Sequence, residues 1–233
     1  MTDRAQFNRY RFLRAEIITL VCLLGVWAYR LEGDVIANAK ATILQQVVKV
    51  MPTDSGFRYL GQFHHDSSQL NQAADAYQQL AFREPDSIEA YIGLSNCYRG
   101  LSKYGEAVGV LKQLVKAYPD YTFGYISLAY NYTDLNCIKE AIDAYEKAVE
   151  LEPNLASLHV NLGKAYFRIG KIDAAIESFQ QALHINGKLP EAHYELAKAY
   201  IGTSEHGLAK DHYHILAGLN ENLAEHVRRL GKF

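Results

Sequence analysis

Apolar residues recur along most of this chain at the three- and four-residue spacing of amphipathic helices. One helical face in residues 138–149, for example, collects Ile138, Ala141, Ile142, Tyr145, Ala148 and Val149. Such segments alternate with short breaks, and three of the breaks contain Pro85, Pro119 or Pro153. Because a proline and the residue before it disfavour helix, the pattern predicts pairs of short helices separated by turns.

Placing these three prolines in one column reveals a repeat of 34 residues. The five units are 54–87, 88–121, 122–155, 156–189 and 190–223. Position 7 is always leucine: Leu60, Leu94, Leu128, Leu162 and Leu196. Position 20 is always alanine: Ala73, Ala107, Ala141, Ala175 and Ala209. Each of these residues fills roughly a tenth of ordinary sequence, so two invariant columns indicate a true internal repeat.

Three further columns are small or aromatic. Position 8 holds Gly61, Ser95, Ala129, Gly163 and Ala197. Position 11 holds His64, Tyr98, Tyr132, Tyr166 and Tyr200, and position 24 holds Tyr77, Leu111, Tyr145, Phe179 and Tyr213. Position 4 holds Phe57, Tyr91, Tyr125, His159 and His193. A small residue lets two helices approach closely, and the large residues then fill the space around the contact.

Together these columns resemble the tetratricopeptide-repeat (TPR) family over residues 54–223. The resemblance implies an all-α fold: a right-handed α-solenoid of antiparallel helix pairs with a concave inner face. The chain departs from the family pattern in three respects. Gly187 and Glu221 stand in the closing proline column, His64 replaces a tyrosine, and the tryptophan column has no tryptophan.

Two helices are expected to flank the repeats. Residues 220–233 form an amphipathic segment that we expect to cap the last hairpin, as the ends of a solenoid require. Residues 32–53 are expected to contain a linker helix, with one apolar face formed by Ile36, Ala39, Ile43, Val47 and Val50. That face can cover the first hairpin or lie on a bilayer, and we favour the first interpretation.

A basic segment, 1–14, precedes the most apolar run of the chain, 15–31. We expect the run to be a transmembrane or signal-anchor helix, although its 15 most apolar residues would cover only about 22 Å. A cleaved secretory signal and a helix buried against a partner or on the membrane surface are the alternatives. The basic flank predicts an amino terminus inside and repeats facing the periplasm or another extracytoplasmic side. Cytoplasmic repeats are the alternative.

Composition and motifs argue against catalysis. The net charge of −2 gives no overall attraction to nucleic acid, and Cys22, Cys97 and Cys137 form neither a disulfide framework nor a zinc spacing. Phosphate loops, nucleophile elbows and metalloprotease helices are absent from the sequence. His206, His212 and His214 cluster near the end of the chain, and His212 and His214 suggest a metal pair. Tyr213 between them is a core-column residue, however, so we expect its neighbours to point to different sides. We expect no enzyme activity, cofactor, metal site or small-molecule substrate.

The family resemblance places a partner groove on the first helix of each unit, at positions 2, 5, 9 and 12. Including the adjacent Arg168, the expected groove residues are Arg58, Gln62, Ile92, Asn96, Arg99, Phe123, Ile126, Tyr130, Lys164, Phe167, Arg168, Tyr194 and Lys198. Aromatic anchors with a basic rim suit an extended or helical peptide with apolar and some acidic side chains. Positions that would match the chaperone-tail clamp of some TPR domains carry Arg58, Gln62, Gly93, Phe123 and Ser127 instead.

The sequence therefore predicts a membrane-anchored scaffold that binds segments of other proteins and assembles or stabilises a membrane complex. The alternatives are an integral structural subunit of a larger membrane complex and a secreted periplasmic TPR protein.

Overall fold

The computed structural model describes residues 42–46, 48–49 and 52–232, and these residues form helices and turns without any strand. The predicted segments 1–14 and 15–31 lie outside the described residues. Between residues 54 and 231 the helices are α1 Asp54–Asp66, α2 Leu70–Arg83, α3 Ile88–Gly100, α4 Tyr104–Ala117, α5 Thr122–Asp134, α6 Ile138–Leu151, α7 Ala156–Arg168, α8 Ile172–Ile185, α9 Pro190–Gly202, α10 His206–Leu219 and α11 Glu221–Gly231. No helix among the described residues has both the length and the apolar character needed to span a membrane.

Every sequence repeat contains a helix of 13 residues followed by a helix of 14 residues. Short polar side chains begin several helices: the Ser87 hydroxyl accepts the Ala90 N–H, and the Asn220 side chain accepts the Leu223 N–H. Where a closing proline is present, the second helix ends two residues before it, as at Arg83 and Pro85. The helix bounds thus repeat with the sequence period.

The turn inside each repeat has the same backbone conformation. Position 15 has a positive φ in all five units: Ser68, Ser102, Asn136, Gly170 and Ser204. Only Gly170 adopts this left-handed conformation without a steric cost, and asparagine tolerates it better than serine. The three serines therefore hold a conformation that the turn geometry, rather than their own preference, imposes.

The chain divides into two compact units, residues 1–101 and 102–233. In the first unit α2 packs against both α1 and α3. Val48 is buried with Leu60 and Ala76, and Leu44 packs against the same cluster. Leu44 and Val48 thus cover the first hairpin, and the expected Ile43 is half-buried. The other residues of the expected face, Ile36, Ala39, Val47 and Val50, lie outside the described residues.

In the second unit each helix from α4 to α11 packs against the next one along the chain, and α9 also contacts α7 and α11. A large core cluster joins α7, α8, α9 and α10, with Phe179 fully buried at its centre. The α11 helix is attached through Ala224 and Val227, which pack against Ala197 and Leu216. Leu223 is half-buried and Leu230 is exposed, so the buried side lies slightly off the predicted Leu223–Val227–Leu230 line.

Successive repeats are also joined by a recurring hydrogen bond. A position-4 side chain reaches the position-32 carbonyl of the preceding repeat in three places. The bonds are Tyr91 Oη to Pro85 O (3.0 Å), His159 Nε2 to Pro153 O (2.8 Å) and His193 Nε2 to Gly187 O (3.1 Å). Tyrosine and histidine share this column because both present a polar hydrogen at the end of a ring.

Candidate functional site

In the first unit, the expected groove residues Arg58 and Gln62 are engaged with neighbouring side chains. The Arg58 guanidinium lies 2.9 Å from a Glu84 oxygen and 2.8 Å from a Glu89 oxygen. The Gln62 amide donates to Asp66 over 2.7 Å. Ile92 is half-buried, and Asn96 and Arg99 are exposed. Arg58 therefore holds α1 beside the start of α3, and its charge is balanced within the chain.

The second unit presents its exposed aromatic rings on α5. Phe123 is 58 % exposed and Tyr130 is 38 % exposed. Seven residues separate them, which is two helical turns, so they share one side of α5. The Tyr130 ring meets the buried Tyr145 ring edge-on, with centroids 6.0 Å apart and planes at 89°. Ile126, half-buried between them in sequence, adds to an apolar strip along this helix.

Side-chain contacts place α5, α7, α9 and α11 side by side in this unit. The Asn161 amide of α7 donates to the Tyr130 hydroxyl of α5 over 3.0 Å. Lys164 of α7 forms an ion pair with Glu191 of α9. The Tyr194 ring of α9 stacks on His226 of α11, with centroids 5.6 Å apart. We call the surface formed by these residues the first-helix face.

The carboxyl-terminal end of the first-helix face is built around Lys198. Its ammonium lies 5.1 Å from the Tyr194 ring centroid, 5.7 Å from that of Phe167 and 2.7 Å from a Glu195 oxygen. Cations are attracted to the faces of aromatic rings, so these contacts fix the lysine in place. Phe167 is itself half-buried against the α7–α10 core, and it serves packing as well as the surface.

A pocket of about 130 Å³ opens on the first-helix face between α5, α6 and α7. It is lined by Tyr130, Thr133, Ile138, Tyr145, Asn161, Lys164, Ala165 and Arg168. Tyr145 and Ala165 are buried, Lys164 is partly exposed and Arg168 is exposed. Apolar surface therefore lies deeper in the pocket, and the two cations lie toward solvent.

The pocket unites three of the expected residues, Tyr130, Lys164 and Arg168, with others that the sequence reasoning missed. Of the missed residues, Asn161 carried a usable signal. Its column, position 6, contains Tyr59, Gly93, Ser127, Asn161 and Glu195. A column that varies so much in size and polarity is typical of a surface rather than a core, and it lies beside the expected positions 5 and 9.

Two histidines contact each other in another part of the second unit. His193 and His212 hydrogen-bond through their Nδ1 atoms over 2.8 Å, and the Tyr200 ring stacks on His212. Burial and the neighbouring His193 lower the pKa of His212 to about 4, whereas its ordinary value is 6.5. Among the described residues, no group of three or more His, Cys, Asp or Glu side chains could hold a metal ion.

Comparison with known proteins is consistent with this architecture. A tetratricopeptide-repeat family model matches residues 64–122, and a second TPR-repeat model matches 129–170 and 165–203. Together the matches span more than half of the chain. A search of curated proteins finds no match.

Several solved structures share the fold at low sequence identity. MamA from Desulfovibrio magneticus RS-1, from residue 41 to its end, is 20% identical with a TM-score of 0.67, covering 72% of this chain and 96% of MamA. YrrB, a TPR protein with an unusual peptide-binding site, is 17% identical with a TM-score of 0.65, over 80% and 97% of the two chains. A thermophilic TPR protein of Thermus thermophilus is 22% identical with a TM-score of 0.56, over 78% and 100%.

Proposed function

We propose that this chain, which belongs to the tetratricopeptide-repeat proteins, is a non-catalytic scaffold that binds a segment of a partner protein on its first-helix face. Residues 15–31 would hold this scaffold at a membrane, where the captured partner belongs to a membrane-associated complex. The bound segment is extended or helical and supplies apolar side chains to α5.

The exposure of Phe123 and Tyr130 carries this proposal. The aromatic residues Tyr77, Tyr145 and Phe179, at position 24, are buried in their hairpins. In contrast, Phe123 and Tyr130 leave large apolar areas in water on one side of one helix. Exposed aromatic residues are common anchors of protein recognition, and Lys164 and Arg168 line the same pocket as Tyr130.

The length of the first-helix face supports a peptide rather than a small molecule as the ligand. The first-helix face continues from α5 to α11 through side-chain contacts, and its pocket is only one part of that surface. A long, open surface with spaced anchors suits a chain segment that is several residues long. YrrB, which shares the fold, is itself a peptide-binding TPR protein.

The membrane tether rests on the sequence of residues 1–31. Four arginines, Arg4, Arg9, Arg11 and Arg14, precede an apolar run, which is the arrangement of a signal anchor with its amino terminus inside. The repeats would then lie on the extracytoplasmic side, next to the bilayer. A scaffold in that position meets the exposed segments of membrane-complex subunits.

Site-specific photo-cross-linking in the source cells tests partner binding. A benzophenone side chain is placed at Phe123 or at Tyr130, and conjugated peptides are identified by mass spectrometry after irradiation. Both positions should yield the same partner segment. The matched control is Gln181, which is exposed on the second helix α8 and lies off the first-helix face.

A double substitution, Tyr130→Ala with Lys164→Glu, provides the complementary test. It should remove the Phe123 conjugate while leaving the helical circular dichroism unchanged, because both side chains lie on the surface. If the conjugate forms equally from Gln181, or persists in the double variant, the partner is not bound on this face.

A further inference from the structure

We infer that the pocket between α5, α6 and α7 binds one acidic side chain of the captured segment, a glutamate by its length. Its methylene groups would contact Tyr145, Ile138 and Ala165, and its carboxylate would contact Lys164 and Arg168 at the mouth. This inference rests on the proposed function, and it specifies the chemistry that the partner must offer.

The size of the pocket admits one side chain. An apolar cavity of about 150 Å³ accepts a benzene-sized group. At about 130 Å³ the pocket accommodates a glutamate side chain but not a second residue beside it. Its depth is formed by apolar surface, because Tyr145 and Ala165 are both buried. Methylene groups match that surface, whereas a fully polar group would lose its water there without compensation.

The charge of the lining selects an anion. Lys164 and Arg168 are the charged residues of the lining, and the remaining six are neutral. The Asn161 amide adds a polar N–H group, although one of its hydrogens is already donated to Tyr130. A guanidinium has five N–H donors, and hydrogen bonds from cations to carboxylates are about twice as strong as neutral ones.

The present partners of the two cations can be exchanged. Arg168 donates to the uncharged amide oxygen of Asn136 over 2.8 Å, so that contact does not neutralise its charge. Lys164 is paired with Glu191, and the side chains are 37% and 50% exposed. An exposed ion pair is weak, so an incoming carboxylate can replace Glu191. Glu191 is therefore an intramolecular competitor for the partner's acid.

If Glu191 competes with the partner's acid, its substitution should strengthen peptide binding. Substitution of a merely structural ion pair would not. The purified full-length chain is first used to select binders from a displayed library of random 12-residue peptides. We expect the selected peptides to share a glutamate flanked by apolar residues. Synthetic versions of one such peptide, with glutamate or with glutamine at that site, then serve as the probes in fluorescence-polarisation titrations.

Three variants should change the affinity for the glutamate peptide in different directions. Glu191→Gln should strengthen binding by about two- to fivefold, because it frees Lys164 from an exposed pair. Lys164→Gln and Arg168→Gln should each weaken binding by about tenfold, the loss of one charge-assisted hydrogen bond. The matched control is Lys210→Gln on α10, an exposed lysine that contributes nothing to the pocket.

The glutamine peptide separates this inference from the proposed function. It should bind about tenfold more weakly than the glutamate peptide and respond little to the three variants. If selected peptides lack an acidic residue, if none is selected, or if Glu191→Gln weakens binding, the inference is overturned. The Phe123 cross-link in the protein without these substitutions is the independent readout of the proposed function: if it forms, partner binding stands without the acidic contact, and if it does not form, both fail.

Discussion

At the scale of single residues, the α7–α8 hairpin depends on a small residue that faces a large aromatic ring. Gly163 at position 8 lies against Phe179 at position 24, and a Cβ at residue 163 would be 2.5 Å from a carbon of that ring. Phe179 is fully buried, so it cannot swing aside. Gly109, in contrast, lies inside α4 with nothing within 4 Å of the same added atom.

Alanine should therefore have opposite effects at these two helical glycines. Gly163→Ala should lower the free energy of unfolding by about 1–2 kcal/mol, since overpacking outweighs the gain in helix propensity. Gly109→Ala should raise it by about 0.5–1 kcal/mol. Urea unfolding followed by circular dichroism measures both. Equal shifts in the two variants would contradict the close approach of α7 and α8.

The hydrogen-bond partners of His193 and His212 limit where the ring hydrogens can lie. The Gly187 carbonyl can only accept, so His193 Nε2 carries a hydrogen. The Nδ1 atoms of His193 and His212 share a single hydrogen between them. Burial lowers the pKa of His212 to about 4, whereas an unfolded chain has the ordinary value of 6.5.

The free energy of unfolding should consequently fall as the pH is lowered from about 6.5 toward 4. In that range His212 binds a proton in the unfolded chain but not in the folded protein. The melting temperature measured at pH 7 and pH 5 should drop further in the wild type than in His212→Asn. Asparagine keeps an N–H near the position of Nδ1 but does not titrate. Histidines that do not contact this pair contribute equally to both proteins, so the difference reports on the His193–His212 contact. Equal drops would contradict the lowered pKa of His212.

At the scale of elements, the bounds of the helices were predictable because the same signals recur every 34 residues. Closing prolines, invariant Leu and Ala columns and small residues at position 8 fix both the length and the pairing of helices. The contacts of Leu44 and Val48 with the first hairpin were not predicted, since Ile43 and Leu44 are equally apolar neighbours in the sequence. The positive φ at position 15 was not predicted either, because only Gly170 and Asn136 indicate it and the other three units have serine there.

The α11 helix shows how an end element contributes to the array. Val227 is fully buried on it, and Leu230, one turn later, is 44% exposed. Val227→Asp should lower the free energy of unfolding by about 2–4 kcal/mol, because it places a charge among Ala197, Leu216 and Ala224. Leu230→Asp should change it by less than about 1 kcal/mol.

Hydrogen exchange can locate this effect along the chain. A repeat array is stabilised by nearest neighbours, so loss of α11 should first expose the amides of α9 and α10. Protection of α5 and α6 should change less in the Val227→Asp variant. Uniform loss of protection over the whole second unit would show that α11 stabilises the unit as one cooperative block instead.

At the scale of the whole molecule, the sequence predicted which residues share a surface more readily than the contacts between them. Family positions led to Tyr130 and Lys164, and these two meet the adjacent Arg168 in one pocket. They could not show that Arg58 is paired with Glu84 and Glu89, or that Lys198 is fixed between two rings. Such pairings depend on distances between repeats, and a column alignment carries no information about distances.

The proposed membrane tether is the remaining prediction at the scale of the whole molecule, and it can be tested in isolation from binding. Leu23 lies in the middle of the apolar run 15–31, whereas Phe7 lies in the basic segment before it. An arginine near the centre of a membrane helix costs about 2.5–3.5 kcal/mol on insertion scales, while one in the flank costs little. Leu23→Arg should therefore move the protein from the carbonate-resistant membrane pellet to the supernatant, and Phe7→Arg should not. The circular dichroism of both variants should match the wild type, because the described core is built from residues after 41. A protein that is extracted by carbonate before any substitution has no spanning helix at 15–31, and its scaffold role would then operate without a tether.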